Sequence, residues 1–501
     1  MSSNGSLERV GPDSLDPKTP AKLPAVIQEV DVENGSTDPD YSHIDPKKVL
    51  RKIDMRILPI ITLLYLMNYI DRGNIGNAKI EGLVMDLHMT SQQFNICLSV
   101  FFVSYALVEI PCNMLLKKLK PAIWLPSIMV AWGVVMTLMG LVQNYKGLLI
   151  ARVFLGIAEA GLYPGVVYYI STWYAREDSQ FRQALFYCAA IISGSFSGLL
   201  AFGISKMDGV SGLAGWRYIF ILEGIATVVI AFFAYFSIPN SYKSATFLTP
   251  AEKEWVAMKV GSTLQNEDAK FKIHYLKQAL TDWQVLTAMF MNMGLLIPIY
   301  SVNLFLPTII NELGYTSTEA QLLTIPIYFL ATVTSMIIAY VSDKYYQRSP
   351  FIITFICVAI VGYIITIVAG VKGVPGLVYA GVFIAVCGLF TAFPGNITWI
   401  SNNVAGSYKR SVALAIHVGW GNLAGVVSSN IYRAQDSPKF ILGHVVAIGG
   451  LLLALAAVLT LRIGYKHCNK QRDENAHLQP QLSASEEAEL GDKSPNFRYI
   501  L

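Results

Sequence analysis

The chain has 501 residues, of which 53% are hydrophobic and only 14% are charged, with a formal net charge of +4. Soluble domains carry about 25% charged residues, so this composition excludes an ordinary soluble protein and indicates one embedded in a lipid bilayer. The small net charge gives no reason to expect a nucleic-acid partner. The six cysteines show neither a disulfide framework nor metal-ligand spacing.

The N-terminal tail is assigned to residues 1–50. Its first 45 residues are rich in Pro, Asp and Ser and contain no apolar run. A signal peptide needs an apolar core, so none is expected here. The composition predicts a disordered cytosolic segment.

Apolar runs of bilayer length, about 20 residues each, recur along the rest of the chain. They predict about twelve spans, near 57–78, 94–116, 122–142, 147–170, 183–205, 216–238, 283–307, 319–341, 350–371, 375–400, 410–431 and 439–463. A polar stretch divides them into two groups of six. The predicted fold is therefore an all-α membrane protein with two six-helix bundles, at 51–240 and 282–466. A central loop (241–281) joins the bundles, and a tail (467–501), also expected to be disordered, follows them.

Basic residues predict which side of the membrane each loop faces. With the N-terminus inside, short cytoplasmic loops carry Lys117, Lys118, Lys120, Arg176, Arg182, Lys344, Arg348, Lys409 and Arg410. The opposite loops contain fewer basic residues. Because cytoplasmic loops are enriched in Lys and Arg, both termini and the central loop are expected in the cytosol.

The central loop contains a helix-start signal. In "LTPAEKEWVAMKV", Thr249 is a candidate N-cap, Pro250 suits the first helical position, and Glu252 completes a capping box. The pattern predicts a surface helix that bridges the two bundles.

The fourth and tenth spans repeat each other. "GLLIARVFLGIAEAGLYPGVVYYIS" begins at Gly147 and "GLVYAGVFIAVCGLFTAFPGNITWIS" at Gly376, and both end in P-G-x-x-x-x-I-S. Duplicated halves of six spans are typical of secondary transporters, which bind their substrate at the interface between the halves.

Longer motifs resemble a known family. "YVSDKYYQRSP" resembles the loop motif of the major facilitator superfamily, although its counterpart after the second span, "NMLLKKLKPAIWLP", lacks the aspartate. "NYIDRGNIGNA", "RVFLGIAEAGLYPG", "GWRYIFILEG", "FLPTIINELGYTSTEAQLLTIP" and "NIYRAQDSPKF" are similar to the fungal anion:cation symporters, which include allantoate and vitamin permeases. The whole series most resembles the nicotinic acid permease branch, and sister branches share most of it.

Arg72 is the first candidate substrate-binding residue. It lies about 22 Å along the first span, and helical spacing puts Tyr65, Asn68 and Tyr69 on its face. Asp71 points about 100° away and cannot share that direction. A permanently charged, planar guanidinium suits a carboxylate, which is either the substrate or an interhelical partner. The two aromatic rings suit stacking on a flat heterocycle, and equally suit packing.

The fourth span holds a second pair, Arg152 and Glu159, seven residues and about 10 Å apart on one face. The repeated span has Gly381 and Leu389 at these positions, so folding alone does not require the charges. Burial favours the protonated form of a carboxyl group, and a nearby cation favours the charged form. This balance suits a group that binds and releases a proton during transport. The resemblance implies the same, because related anion carriers have a glutamate here. A permanently paired structural carboxylate is the alternative.

Other polar residues within the spans are weaker candidates. Glu109 precedes a kinking proline and is a candidate second protonation site or gate residue. His417 is a candidate for the proton path or a buried structural group. Glu223 is assigned to packing. The candidates for the opposite wall of a site are Asn292, Tyr300, Asn396, Trp420 and Asn422.

No catalytic constellation, metal site or nucleotide-binding loop is recognisable, so neither an enzyme nor ATP-driven transport is expected. The prediction is a monomeric, proton-coupled importer of a small organic anion in the plasma membrane, with nicotinate as the first choice and the proton gradient as the energy source. Allantoate, pantothenate, a small peptide, an exported specialised metabolite and a substrate-sensing transceptor remain alternatives.

Overall fold

The computed structural model of the chain describes residues 44–116, 119–264, 280–345, 347–405, 407–475 and 490–501. Within these ranges the regular structure is helical, without a strand, and twelve spans are long and apolar enough to cross a membrane. The predicted tail at 1–43, Lys117 and Lys118, and residues 265–279 of the central loop lie outside the described residues. The first helix begins at Pro46, inside the segment assigned to the N-terminal tail.

The helices of the first half form six spans, the fourth of which is divided in two. They are α1 (Pro46–Ile80), α2 (Leu83–Asp86), α3 (Ser91–Leu116), α4 (Pro121–Met139), α5 (Tyr145–Glu159), α6 (Leu162–Ser171), α7 (Arg176–Ser205) and α8 (Gly215–Ser237). The short helix α2 lies in a connection between spans.

The helices of the second half repeat this arrangement after the connecting helix α9 (Pro250–Leu264). They are α10 (Trp283–Asn311), α11 (Ser317–Tyr345), α12 (Ser349–Lys372), α13 (Pro375–Asn403), α14 (Ser407–Asn422), α15 (Ala424–Ile431) and α16 (Ile441–Glu474). Here the eleventh span is the divided one, and α14 and α15 together form it.

Local sequence explains where these helices begin. The Asp45 carboxylate accepts a hydrogen bond from the Lys47 N–H, and Pro46 occupies the first turn of α1. At α9, Thr249 Oγ1 accepts from the Glu252 N–H at 3.3 Å, and Glu252 Oε2 accepts from the Thr249 N–H at 2.9 Å. The predicted capping box and the helix that it starts are therefore confirmed, whereas the bridge to the second bundle stays a prediction.

Helix α9 is also tied to the first bundle. Lys52 Nζ of α1 lies 2.6 Å from Glu252 Oε1. Burial, which is slight here, would raise the pKa of Glu252, but the hydrogen bonds from Lys52 and Thr249 hold that pKa below its ordinary value. Glu252 thus serves both as a cap and as an ionic contact with α1.

Twelve crossings return the chain to the side from which α1 starts. We call this side the terminal face and the opposite side the far face. At the far face, hydrogen bonds join the two bundles: Ser317 Oγ donates to the Ile80 carbonyl at 2.9 Å, and Gln321 Nε2 donates to Glu81 Oε1 at 2.9 Å. A third bond, from Asn430 Nδ2 to Ser99 Oγ, spans 2.8 Å. The bundles are therefore held together at the far face.

Two glycines allow this close approach. A Cβ atom on Gly198 of α7 would lie 2.4 Å from Thr324 Oγ1 and 2.7 Å from the Gln321 carbonyl oxygen of α11. A Cβ atom on Gly76 of α1 would lie 2.6 Å from the Leu304 carbonyl oxygen of α10. Since real Cβ atoms do not approach so closely, any side chain here would push the bundles apart.

The end of the chain differs from expectation. The sequence predicts disorder over 467–501, but α16 continues to Glu474, and residues 490–501 pack against the second bundle. For these residues the expectation of disorder is wrong, because their aromatic and charged side chains find partners on the terminal face. Residues 476–489, which include most of the acidic stretch, lie outside the described residues.

Candidate functional site

A cavity of about 490 Å³ lies between the two bundles, near the middle of the spans. Both halves of the chain contribute to its wall. The first half contributes Arg72 and Asn68, and the second contributes Asn292 and Asn422. Hydroxylated rings dominate the lining: Tyr65, Tyr69, Tyr105, Tyr163, Tyr187 and Tyr300. The cavity is therefore aromatic, with a few convergent polar groups, as binding pockets for small molecules usually are.

The charged centre of the cavity wall is an ion pair between α1 and α5. Arg72 Nη2 lies 2.9 Å from Glu159 Oε2, and Arg72 Nε donates to the same oxygen at 3.3 Å. Asn68 Nδ2 donates to it as well, at 3.0 Å. Glu159 is completely buried, whereas 9% of Arg72 is exposed. The partner of Arg72 is thus Glu159, the predicted proton carrier.

Aromatic rings surround the Arg72 guanidinium. Its central carbon lies 5.3 Å from the ring centres of Tyr69 and Phe101 and 5.1 Å from that of Tyr105. Tyr65, one helical turn from Tyr69, stacks on Phe186 with ring centres 3.9 Å apart. The rings attract the guanidinium through cation–π interactions. They also restrict the direction in which its N–H groups can donate hydrogen bonds.

Arg152 lies deeper, behind the wall. It is completely buried, its Nε donates to the Cys97 carbonyl at 3.4 Å, and its guanidinium carbon lies 4.8 Å from the Phe101 ring centre. Phe101 therefore contacts both guanidinium groups. Arg152 adds positive charge to the surroundings of Glu159 and does not line the cavity.

Asp71 points in the expected different direction. Its Oδ2 accepts hydrogen bonds from Trp132 Nε1 at 2.9 Å and from Thr227 Oγ1 at 2.8 Å, inside the first bundle. Glu223 of α8 is also buried there and accepts from Asn74 Nδ2 at 2.5 Å. Both carboxyl groups lie away from the cavity.

The wall from the second bundle is neutral and hydrogen-bonded. Tyr300 donates to Asn422 Oδ1 at 2.8 Å, and Asn422 Nδ2 donates to Glu109 Oε2 at 2.9 Å. This series of hydrogen bonds runs from α10 through α14 to α3 and so connects the two bundles. Glu109 is the member that carries a carboxyl group, and 5% of its surface is exposed.

Two further candidates support the wall from behind. Asn396 Nδ2 donates to Asn292 Oδ1 at 2.8 Å, and Asn292 Nδ2 donates to the His417 carbonyl at 2.8 Å. The His417 imidazole is completely buried. Asn396 and His417 therefore reach the cavity only through Asn292.

The candidate Trp420 is a correction. The structure places it outside the cavity, with 40% of its surface exposed. Val418 and Asn422, four residues apart, face the cavity from α14. Trp420 is two residues from each, about 200° around the helix, so it points to the opposite side.

Several lining residues were missed from sequence. Tyr105, Tyr163, Tyr187 and Phe393 all face the cavity. Aromatic residues are common in membrane spans, so single rings gave little signal. For Tyr163, the adjacent Pro-Gly break of the repeated motif was the available clue.

Comparisons with known proteins agree with this architecture. Residues 61–429 match the family model of the Major Facilitator Superfamily. The chain is 32% identical to the high-affinity nicotinic acid transporter of Saccharomyces cerevisiae, over 97% of this chain and 92% of that protein. It is 33% identical to the MFS-type transporter cnsO of Penicillium expansum, with 92% of each chain covered.

Solved structures share the fold at low identity. A D-xylose–proton symporter superposes with a TM-score of 0.61 at 17% identity, covering 81% of this chain and 97% of that one. A bacterial homologue of the human lysosomal transporter Spinster, in an inward-facing and occupied conformation, gives 0.63 at 15% identity, covering 81% and 96%.

The twelve spans of the described residues and the family match define an integral, multi-pass membrane transporter, and the relatives and solved structures above are named as transporters, a class that is not enzymatic. The chain belongs to the Major Facilitator Superfamily, and its relatives include fungal transporters.

Proposed function

We propose that this transporter imports a small organic anion together with protons, and that nicotinate or a related carboxylate is its substrate. The observation that carries the proposal is the Arg72–Glu159 ion pair at the wall of the central cavity. The similarity to a nicotinic acid transporter supports this choice of substrate.

The ion pair provides a way to couple the movement of the substrate anion to the movement of protons. A substrate carboxylate and the Glu159 carboxylate compete for one guanidinium, which binds carboxylates through parallel hydrogen bonds. Protonation of Glu159 removes its negative charge and weakens its hold on Arg72. The guanidinium then becomes available to the substrate anion, so a proton and a substrate load together.

The aromatic lining suits a flat substrate. Tyr65 and Tyr69 lie next to Arg72 on the same helix, and Tyr300 and Asn422 face them from the second bundle. A ring that carries a carboxylate can stack on the tyrosines while its carboxylate contacts Arg72. The hydroxyl and amide groups opposite offer hydrogen bonds to a ring heteroatom.

Proton coupling also solves an energetic problem. An inside-negative membrane potential opposes entry of an anion by about 2.3 kcal/mol per charge for each 100 mV. One proton carried with each monoanion makes the step electrically neutral. Glu159 is the proposed carrier, with Arg152 adjusting its electrostatics and with Glu109 and His417 as secondary candidates.

The proposal extends to location. The terminal face is assigned to the cytosol, because the loops on that side carry most of the basic residues. The plasma membrane and a monomeric state are the corresponding proposals for a nutrient importer.

The test is uptake of labelled nicotinate by yeast cells that lack their own permease, at acidic and at neutral external pH. Wild-type protein is compared with Arg72→Ala and Glu159→Gln, after its arrival at the cell surface has been verified. We expect saturable, acid-stimulated uptake that Arg72→Ala abolishes.

Absence of uptake by surface-exposed wild-type protein would overturn the nicotinate assignment. A panel of allantoate, pantothenate, small peptides and other carboxylates would then be tested in the same cells. Uptake of a neutral compound, with Arg72→Ala fully active, would overturn the anion proposal as a whole.

A further inference from the structure

The terminal face of the second bundle holds a segment of the same chain in a groove. We call residues 490–501 the strap. It contacts the terminal ends of α10, α13, α14 and α16, and the Arg348 N–H donates to the Leu501 carbonyl at 2.9 Å. The transport cycle proposed above makes no use of this contact.

One end of the strap is anchored by charge. Lys409 Nζ lies 2.6 Å from Asp282 Oδ2 of the bundle and 2.8 Å from Asp492 Oδ1 of the strap. Burial would lower the pKa of Lys409, but the two carboxylates raise it above its ordinary value. Lys409 therefore stays charged at physiological pH, and the strap supplies one of its two counter-ions.

The other end is anchored by an aromatic ring. Tyr499 stacks on Tyr465 of α16, with ring centres 4.6 Å apart and planes 14° from parallel. The Arg472 guanidinium carbon lies 4.8 Å from the Tyr499 ring centre. The Tyr499 hydroxyl accepts from Gln284 Nε2 at 2.8 Å and donates to the Asp492 carbonyl at 3.1 Å.

The groove also binds the strap backbone. Asn403 Oδ1 accepts from the Ile500 N–H at 2.7 Å, and Asn403 Nδ2 donates to the Ile500 carbonyl at 3.0 Å. Trp399 Nε1 donates to that carbonyl at 2.8 Å. The Tyr499 N–H donates to Asn469 Oδ1 at 2.9 Å. Both backbone polar groups of Ile500 are thus hydrogen-bonded by side chains of the groove.

The groove is continuous with the wall of the cavity through α13. Trp399 and Asn403 hold the strap, while Phe393 and Ile397 of the same helix line the central cavity. On the terminal side, a second cavity of about 400 Å³ is lined by Ile397 and also by Pro394, Thr398, Tyr163 and Tyr187. The strap therefore holds the end of the helix whose preceding turns line both cavities.

Helix α13 contains a point where this part can move. Pro394 lies inside the helix. A proline within a helix removes one backbone hydrogen bond and permits bending there. The segment from Pro394 to Asn403 can therefore change its angle to the rest of α13 unless something fixes its end.

We propose that the groove is an intramolecular peptide-binding site whose ligand is the strap, and that docking of the strap positions the terminal half of α13 for transport. The ligand class is a short folded peptide that begins with a 3-10 turn, Gly491–Lys493, and has an acidic residue seven positions before a tyrosine, as in Asp492 and Tyr499. Release of the strap frees the end of α13 and slows the movement of substrate past the terminal face. A measurement of transport depends on the proposed substrate, whereas a measurement of conformational change in α13 does not.

The experiment compares hydrogen–deuterium exchange and transport in the full-length protein and in three strap variants. Tyr499→Ala removes the ring that stacks on Tyr465. Asp492→Asn removes one ionic contact at constant size and keeps the test usable if Tyr499→Ala does not fold. Lys493→Ala is the matched control, because its side chain belongs to the strap and is exposed.

In wild-type protein we expect slow exchange in a fragment covering residues 499–501. Tyr499→Ala should accelerate this exchange at least tenfold and also accelerate exchange at the end of α13, around 399–403. The maximal transport rate should fall several-fold with an unchanged KM. Asp492→Asn should act in the same direction more weakly, and Lys493→Ala should match wild type.

Fast exchange of the strap in wild-type protein would overturn the docking. A released strap with unchanged exchange in α13 and unchanged transport would overturn the proposed positioning of α13 by the strap. If nicotinate is not carried, hydrogen–deuterium exchange of the strap and of α13 still decides between these outcomes. Failure of the substrate proposal can therefore be told apart from failure of the strap proposal.

Discussion

The two repeated spans build the same kind of wall with different chemistry. The fourth span, α5 with α6, places Glu159 against Arg72 and buries Arg152 behind it. The tenth span, α13, contributes Phe393 and Ile397 to the cavity and a buried amide, Asn396, behind it. The first bundle therefore carries the ions of the site, and the second offers neutral hydrogen bonds and rings.

Close packing leaves no room for an arginine at the position of the tenth span that matches Arg152. A Cβ atom on Gly381, the counterpart of Arg152, would lie 2.5 Å from Thr366 Oγ1. Leu389, the counterpart of Glu159, is completely buried, as Glu159 itself is, so these two positions differ in chemistry and not in burial. At these positions the tenth span packs closely, whereas the fourth span carries charged groups. The comparison predicts that charge changes in the first bundle have far larger effects than polar changes in the second.

The largest effect is expected for Arg72→Ala. It removes the proposed anion anchor and leaves Glu159 buried without its partner, which costs about 3–5 kcal/mol when a buried pair is broken. Transport should fall more than 100-fold, and thermal stability of the purified protein should drop. The double variant Arg72→Ala/Glu159→Gln should recover stability without transport. Full transport by Arg72→Ala would refute the role of the ion pair.

A strong effect is also expected at the contact between the bundles. Gly198→Ala places a methyl group against Thr324 and the Gln321 carbonyl, so the far face can no longer close fully. The initial rate of transport should fall about tenfold, as measured in uptake assays. Gly203→Ala on the same helix is the control, because a Cβ atom there meets nothing within 4 Å. Equal rates for the two variants would contradict the account of far-face closure.

A moderate effect is expected in the neutral wall. Tyr300→Phe removes the hydrogen bond to Asn422 and keeps the ring. A neutral hydrogen bond contributes about 0.5–1.5 kcal/mol, so KM should rise by no more than about tenfold while the maximal rate changes little. Tyr340→Phe, whose residue is 70% exposed on α11, is the control. A loss as large as that of Arg72→Ala would erase the predicted difference between the two walls.

The smallest effect is expected outside the membrane, at α9. Thr249→Ala should lower stability by about 1 kcal/mol, as loss of a helix cap does, and leave the transport rate unchanged.

Glu252 has a lowered pKa in the folded protein. Its contribution to the stability of the fold is therefore present above its unfolded pKa of about 4.3 and is lost as the pH falls through its folded pKa. The stability difference between Glu252→Gln and wild type, followed by thermal melting, should therefore disappear in acid.

The sequence was informative where one physical rule dominated. Hydrophobic length predicted the spans, and the capping signal at Thr249 and Glu252 predicted α9. Helical spacing placed Asn68 beside Arg72 and sent Asp71 elsewhere, as the structure shows. Each of these inferences depends on residues close together in the chain.

The rest depended on contacts between distant segments. No local pattern pairs Arg72 with Glu159, 87 residues away, or brings Phe101 between two guanidinium groups. The strap was missed for the same reason, because residues 490–501 resemble a polar tail until Tyr465 and Asn403 are known to face them. Trp420 was misplaced because the orientation of α14 is set by its neighbours.

The most direct test of the central claim measures two activities separately. One is accumulation of substrate driven by the proton gradient, and the other is exchange of labelled for unlabelled substrate across the membrane. Glu159→Gln is compared with Glu223→Gln, which alters a buried carboxyl group of the same bundle that lies away from the cavity. The account predicts that Glu159→Gln retains exchange of labelled for unlabelled nicotinate but no longer accumulates it when the external pH is lowered, while Glu223→Gln still accumulates it. Acid-driven accumulation by Glu159→Gln equal to that of wild type would contradict the account.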